Sequence, residues 1–155
     1  MFTNKDNKKK EKIIKDLIFL NEKRKNIKTN MIKKFNFEKF KDNKNIIFEK
    51  NKNLNEGLIG LMANKLKDFF NKPSIVITKS NKIYKGSARS TSNFNIGKYI
   101  KNAIDVDLLM SGGGHHLAAG FSVKEKNIES FHNYLEKIFV KNKKKNSNKY
   151  ISKIS

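Results

Sequence analysis

The chain has 155 residues with 35 Lys+Arg against 14 Asp+Glu, a formal net charge of +21, which fits one domain and points to a polyanionic partner. Twelve Phe and 18 Ile exclude wholesale disorder, because that much apolar area has to be buried, while no apolar run approaches the roughly 20 residues a bilayer crossing needs. Without Cys there is no disulfide framework or thiolate metal site, and the lysine-rich start lacks the apolar stretch of a secretory signal, so a cytoplasmic location is expected.

Residues 5–35 read as one long helix. Ile13, Ile14, Leu17, Ile18, Leu20, Ile27, Met31 and Phe35 recur at spacings of three and four, and Thr3 or Asp6 is placed to cap the start. A helix of this length exceeds the mean of about 11–12 residues and is expected to bridge to a further body upstream. A polar stretch leads to a short strand at 45–49 (NIIFE), then to a helix over 57–70 whose Leu58, Ile59, Leu61, Met62, Leu66, Phe69 and Phe70 make a broad apolar face. Pro73 ends that helix and forces extended backbone. The run SIVIT (74–78) lacks alternation and predicts a strand buried on both faces. A turn, KSNK, leads into a second strand, IYKGSARS (83–90). Helix returns over 96–104, the SGGG run at 111–114 breaks it, and Leu117–Gly120 reads as a helix start that turns strand-like towards Val123. A last helix covers 127–140. The order predicts an α/β domain with a mixed β-sheet flanked by helices, organised as a connector helix and linker (1–45), the α/β domain (46–140) and a basic, disordered tail (141–155).

The charge needs discounting. Of the basic residues 33 are Lys and only Arg24 and Arg89 are Arg, and Lys, Asn and Ile supply nearly half the chain, a bias that spreads Lys over every solvated face. The excess still attracts polyanions through counterion release. Nucleic acid is the leading partner class, with a bland lysine coat and an anionic membrane surface as alternatives.

Two segments stand out from this background. Gly86–Ser90 (GSARS) sets an arginine between hydroxyl residues at a strand end, where a guanidinium can fork onto two phosphate oxygens. Ser111–Gly120 (SGGGHHLAAG) places three glycines before His115 and His116. Three glycines in a row are entropically costly, so the backbone either adopts unusual angles or admits a close neighbour. Glycines feeding a helix start would present a concave set of N–H donors to an anion, with a histidine at its mouth. His132 reads as a rim or core residue. Asp105 and Asp107 are close to the glycines in sequence, but Asp105 is expected to cap the turn that follows. No metal cluster is apparent.

In the order N-E-G-L-I-G-L-M-A-N-K-L (55–66), K-P-S-I-V-I (72–77), G-S-A-R-S (86–90) and G-G-G-H-H-L-A-A-G-F (112–121), the chain resembles the RecJ-type branch of the DHH phosphoesterases, and specifically their DHH-associated substrate-binding domain, over about residues 5–140. L-N-E-K-R-K (20–25) is similar to the helix that connects this domain to the catalytic one. The resemblance implies degradation of single-stranded DNA from the 5′ end by two divalent metals, Mn2+ or Mg2+, held by an upstream domain with a D-H-H motif. That tripeptide does not occur here; His115 and His116 follow Gly114. The expectation is therefore a fragment with no cofactor of its own, inactive alone, whose partners are single-stranded DNA and a separate DHH catalytic domain. The implied roles are phosphate contacts from Ser87, Arg89 and Ser90, a binding loop from Gly112, Gly113 and Gly114, and an assisting catalytic contact from His115 in the assembled enzyme. Asn55 stands where the family more often has histidine, and His116, where a small residue is common, reads as a bystander. Three alternatives remain open: a self-standing phosphodiesterase of the oligoribonuclease or nucleotide phosphatase type, a non-enzymatic nucleic-acid-binding module, and a decayed gene product.

Overall fold

The computed structural model describes residues 3–42 and 45–154. Residues 1–2, 43–44 and 155, which the expected linker and tail include, lie outside the described residues. The chain divides into two units, residues 1–36 and 37–155.

The first unit is helix α1, Asn4–Lys34. Thr3 and Asp6 act together at its start. The Asp6 N–H donates to Thr3 Oγ1 at 3.3 Å while Thr3 donates its own N–H and hydroxyl back to the Asp6 carboxylate, a reciprocal cap that satisfies otherwise orphaned donors. No residue of α1 is buried, and Ile13, Ile14, Leu17, Ile18, Phe19, Leu20 and Ile27 are about half exposed or more.

The second unit is a five-stranded mixed sheet in the order β1-β2-β3-β5-β4, built from β1 (Ile47–Lys50), β2 (Ser74–Ser80), β3 (Ile83–Arg89), β4 (Ser111–His115) and β5 (Ala118–Val123). Helix α2 (Ile59–Phe70) connects β1 to β2, which run parallel, as a strand–helix–strand crossover requires. The other pairs are antiparallel. Ser80 pairs with Ile83, so β2 and β3 are joined by a two-residue turn in which Asn81 takes φ 55°, a left-handed conformation asparagine tolerates. Helix α3 (Ile96–Asp105) is capped by Asn95, whose Oδ1 accepts from the Lys98 N–H at 3.1 Å. Asp105 is its last residue and does not open the following turn.

β2 lies between two layers, and its first five residues are buried, as the absence of alternation predicted. On one face Ile75 and Ile77 join Tyr84, Ala88, Phe121 and Val123 against Ile96, Ile100 and Ala103 of α3 and Phe131 and Leu135 of α4 (Ile128–Ile154). The buried Met62, Ala63 and Leu66 of α2 serve the other face. Gly86 belongs to the first layer. A Cβ there would lie 2.2 Å from the Phe121 ring, which itself packs on Phe131 at 5.0 Å between centroids. Gly86→Ala is expected to destabilise the unit by about 2 kcal/mol through overpacking. Urea unfolding in a cycle with Phe121→Leu measures it, the double variant recovering part of the loss.

Two expectations are corrected here. Leu117–Gly120 is not a helix start: Ser111–His115 and Ala118–Val123 form an antiparallel hairpin in which every residue of β4 pairs with β5, because alternate small and apolar residues suit a half-buried ladder. The segment from Lys141 is not disordered; it continues α4 as helix to Ile154.

Candidate nucleic-acid interface

Residues directly opposite one another in an antiparallel ladder share a face. Arg89 pairs with Ala118, which pairs with His115, and the row below it is Ser87, Gly120 and Gly113. The two distinctive segments thus meet on one face with β5 between them, their backbones about 10 Å apart at the usual strand spacing. The alternate rows, Ala88–Ala119–Gly114 and Gly86–Phe121–Gly112, turn to the core. The N-terminal turn of α2 forms a wall beside Arg89. A Cβ on Gly60 would lie 3.0 Å from Arg89 Nη2 and 3.3 Å from Ser87 Oγ, so this helix glycine makes room for the guanidinium. Beyond the wall the sheet is open, and a shallow groove of about 360 Å3 runs past Glu56, Lys85, Ser111 and Gly120.

Arg89 is held from its own strand. Its Nη1 donates to Ser87 Oγ and to the Ala88 carbonyl, both at 2.9 Å. Among the described residues no carboxylate forms an ion pair with it, and its Nη2 lies beside Gly60 of α2. A guanidinium fixed by neutral partners keeps its full charge and its planar fork for an incoming anion. Ser87 is nearly buried; it accepts from Arg89 and so acts by orienting it. Lower in the groove, Lys85 pairs with Glu56 at 3.0 Å. Hydrogen bonds from Ser80 and then Lys85 hold the Glu56 carboxyl below the usual carboxylate range, and the pair cancels in charge.

The three consecutive glycines divide into two kinds. None of the described glycines has positive φ, so unusual angles do not explain them. A Cβ on Gly114 would fall 2.3 Å from the Ala118 carbonyl oxygen, and one on Gly112 would meet the Gly120 oxygen at 2.8 Å and Ile100 at 3.0 Å. These two let the hairpin and α3 close. Gly113 has nothing within 4 Å of where a Cβ would stand, and Gly120, opposite it, only the Gly86 oxygen at 3.8 Å. Glycine in a strand interior weakens it, and packing gives no reason for it at these two positions. They leave a patch of side-chain-free backbone beside Arg89, which lets a ligand come within contact distance of the sheet.

His115 is exposed at the end of β4. Its backbone is clamped by α3, where a Cβ on Gly97 would lie 2.6 Å from the His115 oxygen. The Leu117 N–H approaches its Nδ1 at 3.4 Å, a pairing that assigns the proton of the neutral ring to Nε2. His116 turns away. Its Nε2 lies 2.6 Å from the Ser92 carbonyl, tying the hairpin turn to the segment after β3. Ser90 does not join the site: it is buried, its hydroxyl donates to the Phe94 carbonyl at 2.6 Å and its N–H to Leu117. Asn55 caps the short turn before α2, accepting from the Gly57 N–H at 2.8 Å. Gly60 reads in sequence as a glycine that permits close packing at the start of α2, and the structure shows that what it admits is Arg89. Gly120 was not singled out, because its place on a common face with Gly113 needs the strand register to be seen.

His132 lies away from this face. It stacks on Phe48 at 4.5 Å with its Nε2 buried and unpartnered, 3.8 Å from Glu136. Burial pushes its pKa down, and Glu136 and Glu129 only partly offset that. A folded-state pKa below the unfolded one means the unfolded chain takes up the proton first as pH falls. Stability is therefore expected to be full above about pH 6.5 and to decline as pH drops below it. Thermal melts between neutral and mildly acidic pH check this, and His132→Phe should flatten the slope.

Among the described residues no three His, Asp or Glu side chains gather where they could hold a metal ion, so the residues present do not fit the divalent metals implied for a catalytic domain. No described helix is long and apolar enough to cross a membrane. The family model of the DHHA1 domain matches residues 43–141. This chain belongs to the DHHA1 domain family. Its DHHA1 unit is 37% identical over 86 residues to the single-stranded-DNA-specific exonuclease RecJ of Bacillus subtilis, covering 54% of this chain and 11% of that protein. The Salmonella typhimurium RecJ is 30% identical over 79 residues, covering 49% and 14%. The chain thus spans about an eighth of the length of the curated relatives it matches. The crystal structure of Thermus thermophilus RecJ in complex with Mg2+ shares the fold with a TM-score of 0.69 at 23% identity, over 83% of this chain and 20% of that one. The C-Ala domain of Aquifex aeolicus alanyl-tRNA synthetase shares it more loosely, with a TM-score of 0.54 at 13% identity over 61% of this chain and 89% of that one. The expected fold, a mixed sheet flanked by helices with a long N-terminal helix, and the RecJ-type resemblance are both shown.

Proposed function

We propose that the DHHA1 unit binds the sugar–phosphate backbone of single-stranded DNA on the open face of its sheet, as the substrate-binding part of a RecJ-like 5′–3′ exonuclease whose metal-dependent chemistry belongs to a separate DHH domain. The observation that carries this reading is the bare floor at Gly113 and Gly120 beside an Arg89 that no acid among the described residues neutralises. A phosphate on that floor takes the guanidinium fork from one side and the His115 N–H from the other, while Ser87 keeps the guanidinium in place. The relatives' specificity for single-stranded DNA agrees with a floor only a few strands wide, walled on one side by α2. The net charge of +21 adds steering at long range.

Fluorescence anisotropy of a labelled oligonucleotide tests this. Binding is expected to weaken steeply with salt, with log K falling by about 0.7 per phosphate contacted, and to be weaker for duplex of the same length. Binding indifferent to salt, or a preference for duplex, overturns it. Manganese-stimulated release of nucleotides by the purified chain would instead establish a self-standing phosphodiesterase.

A further inference from the structure

The C-terminal half of α4 carries a second feature that the open face does not use. Six lysines and no acid lie between residues 141 and 155. Lys143, Asn146, Tyr150 and Lys153 recur at steps of three and four, so they share one side of the helix. That side lines two adjoining hollows of about 380 and 460 Å3, which share Asn93, Asn146 and Tyr150. The opposite bank is made of Asn71, Lys72, Pro73, Thr91 and Asn93. Those residues flank the end of the sheet where β2 begins and β3 finishes, and Ser74 pairs directly with Arg89. The groove therefore opens at the end of the sheet marked by the Arg89–Ala118–His115 row. Its lining includes Lys72, Lys143, Lys149 and Lys153, holds no Asp or Glu among the described residues, and carries one highly exposed ring, Tyr150, at 72%. A highly exposed tyrosine ring set among lysines and amide side chains has the chemistry of a stacking platform in a cationic channel. The helix here has no apolar stripe, and Asn and Ser are indifferent helix formers, so a polyanion seated along its lysines would also stabilise it.

We propose that this groove is a second subsite for single-stranded polynucleotide, continuing the track past Arg89, with one base stacked on Tyr150 and phosphates held by Lys143, Lys149 and Lys153. The proposal rests on the reading of the open face given above. It identifies the occupant by charge complementarity, by the ring, and by continuity with the Arg89 end of the sheet.

The chain contains no Trp, so Tyr150→Trp introduces a single reporter. Its emission is expected to be quenched by oligothymidylate of about 15 nucleotides and not by one of about four. In anisotropy, Tyr150→Leu, which keeps the helix propensity, should weaken the longer probe roughly tenfold and leave the shorter unchanged. Replacing Lys143, Lys149 and Lys153 together by Gln should lower the salt slope for the longer probe by about 2, with circular dichroism confirming that the helix persists. Arg89→Ala should weaken both probes. An unquenched reporter, or tail variants that bind the longer probe like the parent while Arg89→Ala weakens both, overturns the subsite and leaves the open-face reading standing. Tail variants that weaken both lengths equally also overturn it, since that is bulk charge. Arg89→Ala without effect on either probe sinks the open-face reading and the subsite with it.

Discussion

Gly113→Val is expected to leave the protein folded and to reduce its affinity for single-stranded oligonucleotide at least about tenfold, roughly the value of one charge-assisted hydrogen bond. A side chain at Gly113 meets nothing within 4 Å. The melting temperature should stay level or rise slightly, because replacing a strand glycine relieves a cost of about 0.5–1 kcal/mol. The branched side chain would stand on the floor two residues from His115 along β4, in the row of Ser87 and Gly120, and hold a phosphate off the sheet. Gly114→Ala, one residue on, should do the reverse. Its methyl group would meet the Ala118 carbonyl oxygen at 2.3 Å, and backbone cannot swing aside as a side chain can, so a loss of about 3 kcal/mol is expected. Thermal melts and anisotropy on the two variants separate a glycine kept for a ligand from one kept for the hairpin. If Gly113→Val binds like the parent, the floor is not where the strand lies.

Arg89→Ala is expected to weaken binding by about tenfold or more and to lower the salt slope by about 0.7, the share of one phosphate. Arg89→Lys should keep the slope, since the charge remains, while recovering only part of the affinity, since an ammonium cannot make the planar two-bond contact. Ser87→Ala tests the positioning role separately. It removes the 2.9 Å acceptor on Nη1 but no charge, so the slope should hold while affinity falls a few-fold. Equal effects from Arg89→Ala and Arg89→Lys would mean that the fork geometry matters more than charge at this position.

The chain's elements could be read in order because each carries its own local cause. Apolar spacing of three and four marks α1, α2 and α4, Pro73 sets the start of β2, and an unbroken β-branched run marks a strand covered on both sides. The SGGG segment was misread for a physical reason. Glycine has no side chain with which to show a period, so only the partner strand reveals that Ser111–His115 is extended. The continuation of α4 past Val140 was missed likewise, because lysine and asparagine give no apolar rhythm, and the helix there is fastened by other parts of the unit, as where Asn142 meets the Tyr99 hydroxyl.

Local sequence was sufficient to single out Arg89, His115 and the glycines, since rare residue types in a Lys/Asn/Ile background need no fold to be noticed. It could not say which of them act. Ser90 and Ser87 look alike in sequence, yet the first is spent on the Phe94 carbonyl and the second orients Arg89. Gly112, Gly113 and Gly114 are chemically identical, and only the alternation of a pleated strand turns two inward and one outward. Which side a residue faces depends on pairing register and on the layer that covers the sheet. Both are set by contacts between residues far apart in the chain.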